Sequence, residues 1–255
     1  MATILLKLAA PLQSWGVESK FNKRMTQREP TKSGVIGMVA AALGRSRDDS
    51  IDDLRGLTFA VRVDQPGEMV KDFHTAHTFD GKTAFISDRY YLSDAVFVAA
   101  LEGESQIIAN VATALKNPVY PLFLGRRACP PAGQIALGIS EKSAVEALLD
   151  VSNTAKWQAA KWYMKKQPRT VHLRIVRDAD FSEPGAFEAR DMPVTFSQEY
   201  RKYTYRSMIP NMETATVDNE FAPLSSLKHQ SSAPDSKGAQ AQASTSHDAF
   251  NVLEK

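Results

Sequence analysis

The segment Thr31-Lys32-Ser33-Gly34-Val35-Ile36-Gly37-Met38-Val39-Ala40-Ala41-Ala42-Leu43-Gly44 constrains the fold more than any other stretch of the chain. Ser33 is a suitable N-cap and Gly44 a suitable C′ residue, which predicts about three turns of helix between them. Gly34, Gly37 and Ala41 recur three to four apart, so one face of that helix carries almost no side chain. Each glycine costs about 1 kcal/mol in helix propensity, so such a face is expected where a sheet or another backbone approaches closely. Around this helix the apolar periodicity predicts a strand over 4–8, a second over 57–63, a third over 94–101 and an amphipathic helix over 107–115 that stops at Asn117-Pro118. Strand, helix, strand, insertion, strand, helix is the order of an α+β, ferredoxin-like unit with split βαβ connections.

The insertion between the second and third strands, residues 71–93, is polar and centred on Asp80-Gly81. Asp-Gly is a strong hairpin turn signal, and the segment is longer than a plain connection needs, which hints at function. Further on, a capped helix is expected over 140–149, a strand over 171–176 and more strand over 190–205. From 225 to 246 the chain is rich in Ser, Ala and Gln, the composition of a disordered tail. No internal repeat is visible.

Composition limits the function classes. The chain has 255 residues, 43% of them hydrophobic, as expected of a globular protein with ample length for a core. Its one cysteine, Cys129, rules out an intramolecular disulfide and fits a reducing, cytoplasmic setting. No apolar run is long enough to span a membrane, and no basic stretch precedes the first apolar residues as in a secretory signal. The 31 basic and 29 acidic residues leave a net charge of only +2, which by itself argues against a polyanion ligand.

The distribution of charge argues the other way. Lys20, Lys23, Arg24, Arg28, Lys32, Arg45 and Arg47 face a single acid, Glu29, within 20–47, and Lys156, Lys161, Lys165, Lys166, Arg169, Arg174 and Arg177 face none within 156–177. Phe21, Trp157, Trp162 and Tyr163 are interleaved with them. Solvated charged surface explains either run alone; two runs with aromatics between the cations fit a surface for nucleic acid better.

Chemistry beyond binding is scarce. His74 and His77, with Asp72 and Asp80 nearby, are too few for a converging ligand set, so no metal or other cofactor is expected. Nucleotide-loop, hydrolase and zinc-protease motifs are absent. Arg126 and Arg127 flank Cys129 and would lower its pKa if it were open to solvent, but a lone cysteine is more often a small buried hydrophobe. Gly125-Arg126-Arg127 follows an apolar, aromatic run and precedes Cys129-Pro130-Pro131, so two guanidinium forks can meet phosphate where the backbone comes close. Arg28, Lys32 and Ser33 stand at the start of the glycine-bearing helix, where free N–H groups attract an anion.

Three ordered motifs resemble those of the CasD family, the repeat-associated (RAMP) subunit of subtype I-E Cascade. They are Pro11-Leu12-Gln13-Ser14-Trp15-Gly16, Pro30-Thr31-Lys32-Ser33-Gly34-Val35-Ile36-Gly37 and Leu124-Gly125-Arg126-Arg127-Ala128-Cys129-Pro130. Arg45 to Asp49, Asp72-Phe73-His74-Thr75 and Arg190-Asp191-Met192-Pro193 match as well. The resemblance runs from about residue 3 to about 206, is thinnest over 149–168 and does not reach past 223.

It implies an RRM-like RAMP domain over 1–140 with a thumb hairpin at about 71–93, a small β-rich C-terminal part over 141–224 and a tail over 225–255. It also implies a non-catalytic subunit of a CRISPR surveillance complex that grips the repeat-derived 5′ handle of the crRNA and caps the filament of backbone subunits. The partners implied are crRNA, the Cascade backbone subunit, the Cascade large subunit and, through the complex, target DNA, with no membrane. The residues expected at the RNA are Trp15, Lys20, Lys23, Arg24, Arg28, Lys32, Ser33, His74, Arg89, Tyr90, Gly125, Arg126 and Arg127. Tyr91 stands beside the returning strand of the thumb, and Trp15 either stacks on a base or packs. An alternative is a metal-independent endoribonuclease in which His74, with Lys71 or Lys82, activates a 2′-OH; another is a scaffold that chiefly touches protein.

Overall fold

In the computed structural model, residues 1–16, 19–20, 23–153 and 155–223 are described, without the side chains of 19, 20, 211 and 212. Phe21 and the tail, including all of 225–255, lie outside the described residues. Strand β1 (Ala2–Ala9) is buried on both faces: Ile4, Leu6 and Leu8 join one apolar cluster and Leu5 joins another. A strand apolar on both sides belongs in the middle of a covered sheet, and β1 sits between β8 (Val96–Gly103) and β9 (Ala136–Ser140).

The element order is β1, β2 (Leu12–Gln13), β3 (Ser19–Lys20), β4 (Lys23–Arg24), α1 (Lys32–Ala42), α2 (Asp52–Arg55), β5 (Thr58–Gln65), β6 (Glu68–His77), β7 (Ala84–Ser93), β8, α3 (Ser105–Lys116), β9, α4 (Ala144–Leu149), α5 (Lys161–Met164), β10 (Thr170–Asp178), β11 (Phe187–Thr195) and β12 (Lys202–Asp218). The main sheet is antiparallel, in the order β11-β12-β10-β5-β8-β1-β9. α1 lies in the connection from β1 to β5 and α3 in that from β8 to β9, and each connection skips the strand between its ends. The fold is therefore mixed α/β around an antiparallel sheet. β10 pairs directly with β5, so the C-terminal strands continue the same sheet, and residues 1–223 form one compact unit.

α1 and α3 cover one face of the sheet through Val35, Ile36, Val39, Ile108 and Val111, and α4 covers the other through Ala144, Ala147 and Leu148. Each fully buried Leu or Phe in these layers contributes about 1.5–3 kcal/mol. α1 is capped two residues earlier than expected. Thr31 is the N-cap and its side chain accepts from Gly34 N, while Gly44, at φ 78°, ends the helix as expected. The small-residue face is occupied by rings: a Cβ on Gly34 would lie 2.8 Å from the Trp15 ring, and one on Gly37 would lie 3.4 Å from Phe196.

The insertion folds as the expected hairpin. β6 and β7 pair from Glu68↔Ser93 to His77↔Ala84, and Gly81 takes φ 70° in the turn. A smaller sheet joins β2, β7, β4 and β3, with β6 on β7. The helix expected over 140–149 starts later. Ser143 and Glu146 form a capping box, and Ser140 ends β9, a strand the periodicity did not reveal. β12 bulges opposite Ile175/Val176, and Pro210 sits at that break; Pro193 is on β11, at the sheet edge. Both are positions where a missing N–H is tolerated.

Candidate nucleic-acid interface

The N-terminus of α1 is locked to the C-terminal strands by buried charge. Lys32 N donates to Asp191 Oδ2 at 2.8 Å, and Lys32 Nζ reaches Asp178 Oδ2 at 2.8 Å. Arg206 bonds Asp191 through Nε (2.6 Å) and Nη2 (3.0 Å), and Asp178 through Nη1 (2.6 Å). Asp178 also accepts from Phe59 N at 3.0 Å. Two cations and two carboxylates thus satisfy one another, as buried charges must. With its position fixed in this way, α1 turns Gly34, Gly37 and Ala41 toward an open groove of about 990 Å³.

Among the described residues, seven arginines and one acid line that groove: Arg24, Arg45, Arg47, Arg89, Arg126, Arg127, Arg201 and Asp48. Tyr120, Phe123, Phe196 and Tyr203 supply aromatic wall, and Tyr120 is 47% exposed. Three of the arginines are committed to the protein. Arg45 makes a bidentate pair with Asp53, both contacts 2.5 Å, and bonds Ser50 O; the guanidinium in turn holds the Asp53 carboxyl below its usual range. Arg89 Nε reaches Ser87 Oγ at 3.5 Å. Arg126 donates from Nη2 to Arg24 O at 2.7 Å and lies 4.7 Å from the ring centre of buried Tyr91. Arg24, Arg47, Arg127 and Arg201 are exposed, and none has an ion-pair partner among the described residues. Their charge is available to a ligand.

The loop carrying Gly125 is pinned to the first motif. Ser14 N donates to Leu124 O at 3.1 Å, and Gly125 has φ 86° with its missing Cβ only 1.7 Å from Ser14 O. That turn presents Arg127 outward and buries Cys129, whose N donates to Arg126 O at 2.8 Å. Burial pushes the Cys129 thiol up against the opposing pull of Arg126, so the cysteine is a packed hydrophobe.

Of the residues expected at the RNA, Trp15, Arg24, Ser33, Arg89, Gly125, Arg126 and Arg127 line the groove. Two of these expectations need correction. Trp15 packs and does not stack: it is fully buried against Gly34, with Nε1 donating to Gln13 Oε1 at 3.1 Å. Lys32 lines no groove, since only 3% of it is exposed and its ammonium is held by Asp178. Ser33 is buried at the groove floor. Lys23 and Arg28 are exposed outside the lining, and Lys20 contributes backbone to β3 while its side chain lies outside the described residues. Tyr90 is half-buried, and its carbonyl accepts from Ser14 Oγ at 3.2 Å. His74 sits on β6 with Nε2 3.1 Å from Asp72 Oδ2.

The second basic run does not join this groove. Its arginines are neutralised from a distance: Arg169 by Asp218, Arg174 by Glu29, and Arg177 by Glu183 and Glu213. Arg201, Tyr203, Phe196, Tyr120 and Phe123 were missed as groove residues. The motif Gln198-Glu199-Tyr200-Arg201-Lys202, basic and aromatic just before a strand, was the available signal for Arg201.

Among the described residues, no helix is long and apolar enough to cross a membrane. The family profile described as CRISPR-associated protein (Cas_Cas5) matches residues 3–209. The CRISPR system Cascade subunit CasD of Escherichia coli (strain K12) is 32% identical over 162 residues, covering 55% of this chain and 72% of that protein. A solved chain described as CRISPR RNA-guided surveillance complex shares 30% identity, covers 86% of this chain and 92% of its own length, and superposes with a TM-score of 0.69. A second, described as crystal structure of Cas protein, shares 30% identity over 87% of this chain and 97% of its own, with a TM-score of 0.56.

Proposed function

The chain belongs to the CRISPR-associated protein (Cas_Cas5) family, and from that membership we propose that it is a Cascade subunit that holds the repeat-derived 5′ handle of the crRNA in the arginine groove. The observation that carries this reading is the composition of the groove: four exposed arginines with no ion-pair partner among the described residues, beside an aromatic wall. Phosphates meet guanidinium forks and splayed bases meet rings; single-stranded RNA is gripped by this combination. Similarity to CasD of E. coli and to a chain of an RNA-guided surveillance complex supports the assignment to such an assembly.

The strand order β5-β8-β1-β9, with α1 in one skipping connection and α3 in the other, supports reading the N-terminal part as a ferredoxin-like RAMP domain. The β6–β7 hairpin is then its thumb. Phe73, Phe85 and Ile86 are more than half exposed along it, apolar side chains suited to wedging between bases or to meeting the neighbouring backbone subunit. In the same reading the chain caps the backbone filament and meets the large subunit, and target DNA reaches it through the complex.

We read the chain as non-catalytic. Lys71 is paired with Asp88, which supports a structural use of that ammonium. Photo-crosslinking of the purified full chain to repeat RNA bearing 4-thiouridine in the handle tests the assignment. Crosslinks are expected on peptides containing Tyr120, Phe123 and Tyr203, with the RNA left intact in EDTA. Crosslinks confined to other surfaces would remove the groove from the account, and cleavage abolished by His74→Ala would replace binding by the endoribonuclease reading.

A further inference from the structure

A second cationic and aromatic surface lies on the other side of the main sheet. Ala155 and Trp157 pack in the apolar cluster built on Leu5, Ala60, Val98 and Ala100, whereas α1 packs in the cluster built on Ile4, Leu6, Phe59 and Phe97. Neighbouring residues along a strand point to opposite faces, so the segment that leads into α5 is anchored on the face away from α1 and the groove. The anchoring is firm. Trp157 Nε1 donates to Asp64 O at 2.9 Å and Ala160 N to Gln65 Oε1 at 3.0 Å. Buried Asn219 donates from Nδ2 to the carbonyls of Met164, Gln167 and Pro168, at 2.8, 3.2 and 3.1 Å.

What this scaffold presents is unusual for a plain solvated surface. Trp162 is 51% exposed, with the Lys166 ammonium 5.3 Å from its ring centre and Tyr163 edge-on at 6.0 Å. Lys161 lies 5.9 Å from the ring of Phe221, itself 41% exposed. Lys156, Lys161, Lys165 and Lys166 are all exposed, and none has a carboxylate partner among the described residues, in contrast to the arginines that follow them. A half-exposed indole among ammonium groups that no carboxylate of the described residues neutralises offers ring surface for a base and point charges for the phosphates on either side. The stretch also coincides with the part of the chain where the family resemblance is thinnest.

We propose that the α5 surface, centred on Trp162 with Lys161, Lys165 and Lys166, is a second binding site for a single-stranded nucleic acid, independent of the groove. A base stacks on Trp162 and two or three phosphates meet the lysines, without sequence readout. DNA and RNA share this chemistry, so both strands belong in the test.

The experiment is fluorescence anisotropy of a labelled single strand of unrelated sequence, as DNA and as RNA, titrated with the full chain over a range of salt. It is run in the parent and in a chain carrying Arg47→Ala, Arg127→Ala and Arg201→Ala, where the groove no longer masks the patch. Trp162→Ala is expected to weaken binding about tenfold. Lys161→Ala with Lys165→Ala and Lys166→Ala is expected to flatten the plot of log affinity against log salt by about two. The corresponding Lys→Arg triple keeps the slope, and the thermal midpoints of these surface variants stay with their parents. The strand type that loses more affinity identifies the physiological source. Unchanged affinity and slope for both strands in both backgrounds overturns the proposal, while loss on patch substitution sustains it whether or not the groove binds RNA.

Discussion

Asp191→Ala is expected to destabilise the protein by about 3–5 kcal/mol, because it leaves Nε and Nη2 of buried Arg206 and the first N–H of α1 without their acceptor, with Asp178 alone still facing the guanidinium. The side chain holds Arg206 through two bonds and Lys32 N through a third, and only 3% of Asp191 is exposed. Water cannot take over these roles at a site this deep. Urea unfolding followed by circular dichroism measures the loss as a lower midpoint. A companion variant, Asp191→Leu with Arg206→Met, removes both charges and recovers part of the loss, which separates a stranded cation from a simple cavity. Equal losses in the two variants would mean that packing, not charge, holds α1 to β11 and β12. The consequence reaches the groove, since the helix that lines it through Gly34, Gly37 and Ala41 is aligned by this network.

Gly125→Ala is expected to cost about 3 kcal/mol or more and to weaken RNA binding with it. The added Cβ falls 1.7 Å from Ser14 O and 2.7 Å from its carbonyl carbon, both backbone atoms, and φ 86° is itself unfavourable for alanine by about 1–2 kcal/mol. No side chain is available to swing aside, so the loop has to lift. Lifting draws Arg126 off Tyr91 and uncovers Cys129. The native-state reactivity of the Cys129 thiol toward a disulfide reagent reports that opening directly: near zero in the parent, rapid in Gly125→Ala. Unchanged thiol reactivity with an unchanged urea midpoint would show that the turn relaxes by another route.

These two sites illustrate how far local sequence reaches. The glycine-bearing helix, the Asp80-Gly81 hairpin and the strand, helix, strand order were legible because propensity, turn chemistry and periodicity act within a few residues. The family motifs were legible because Gly34, Gly125 and their neighbours hold fixed places in an ordered series. The fate of each cation was not legible. Lys32 and Arg127 both read as exposed basic residues, yet Lys32 meets Asp178, 146 residues away in the chain, and Arg127 meets no carboxylate among the described residues. Arg174 and Arg177, which looked like part of a polyanion surface, are neutralised by Glu29, Glu183 and Glu213, brought to them by the folded chain. Arg201 and Tyr203 entered the groove because the start of β12 pairs with the end of β11, Pro193↔Tyr203 and Thr195↔Lys202, and β11 packs against α1. Strand β9 escaped notice because five residues with a central glycine carry too little period to read.

The central claim is that the arginine groove carries RNA through charge that the protein does not itself use. The salt dependence of repeat-RNA binding, compared between the parent chain and Arg47→Ala with Arg127→Ala and Arg201→Ala, tests it most directly. Three lost phosphate contacts predict a slope of log affinity against log salt shallower by about two, with affinity reduced at least tenfold at low salt and the thermal midpoint unchanged. A slope and an affinity equal to those of the parent would contradict the claim.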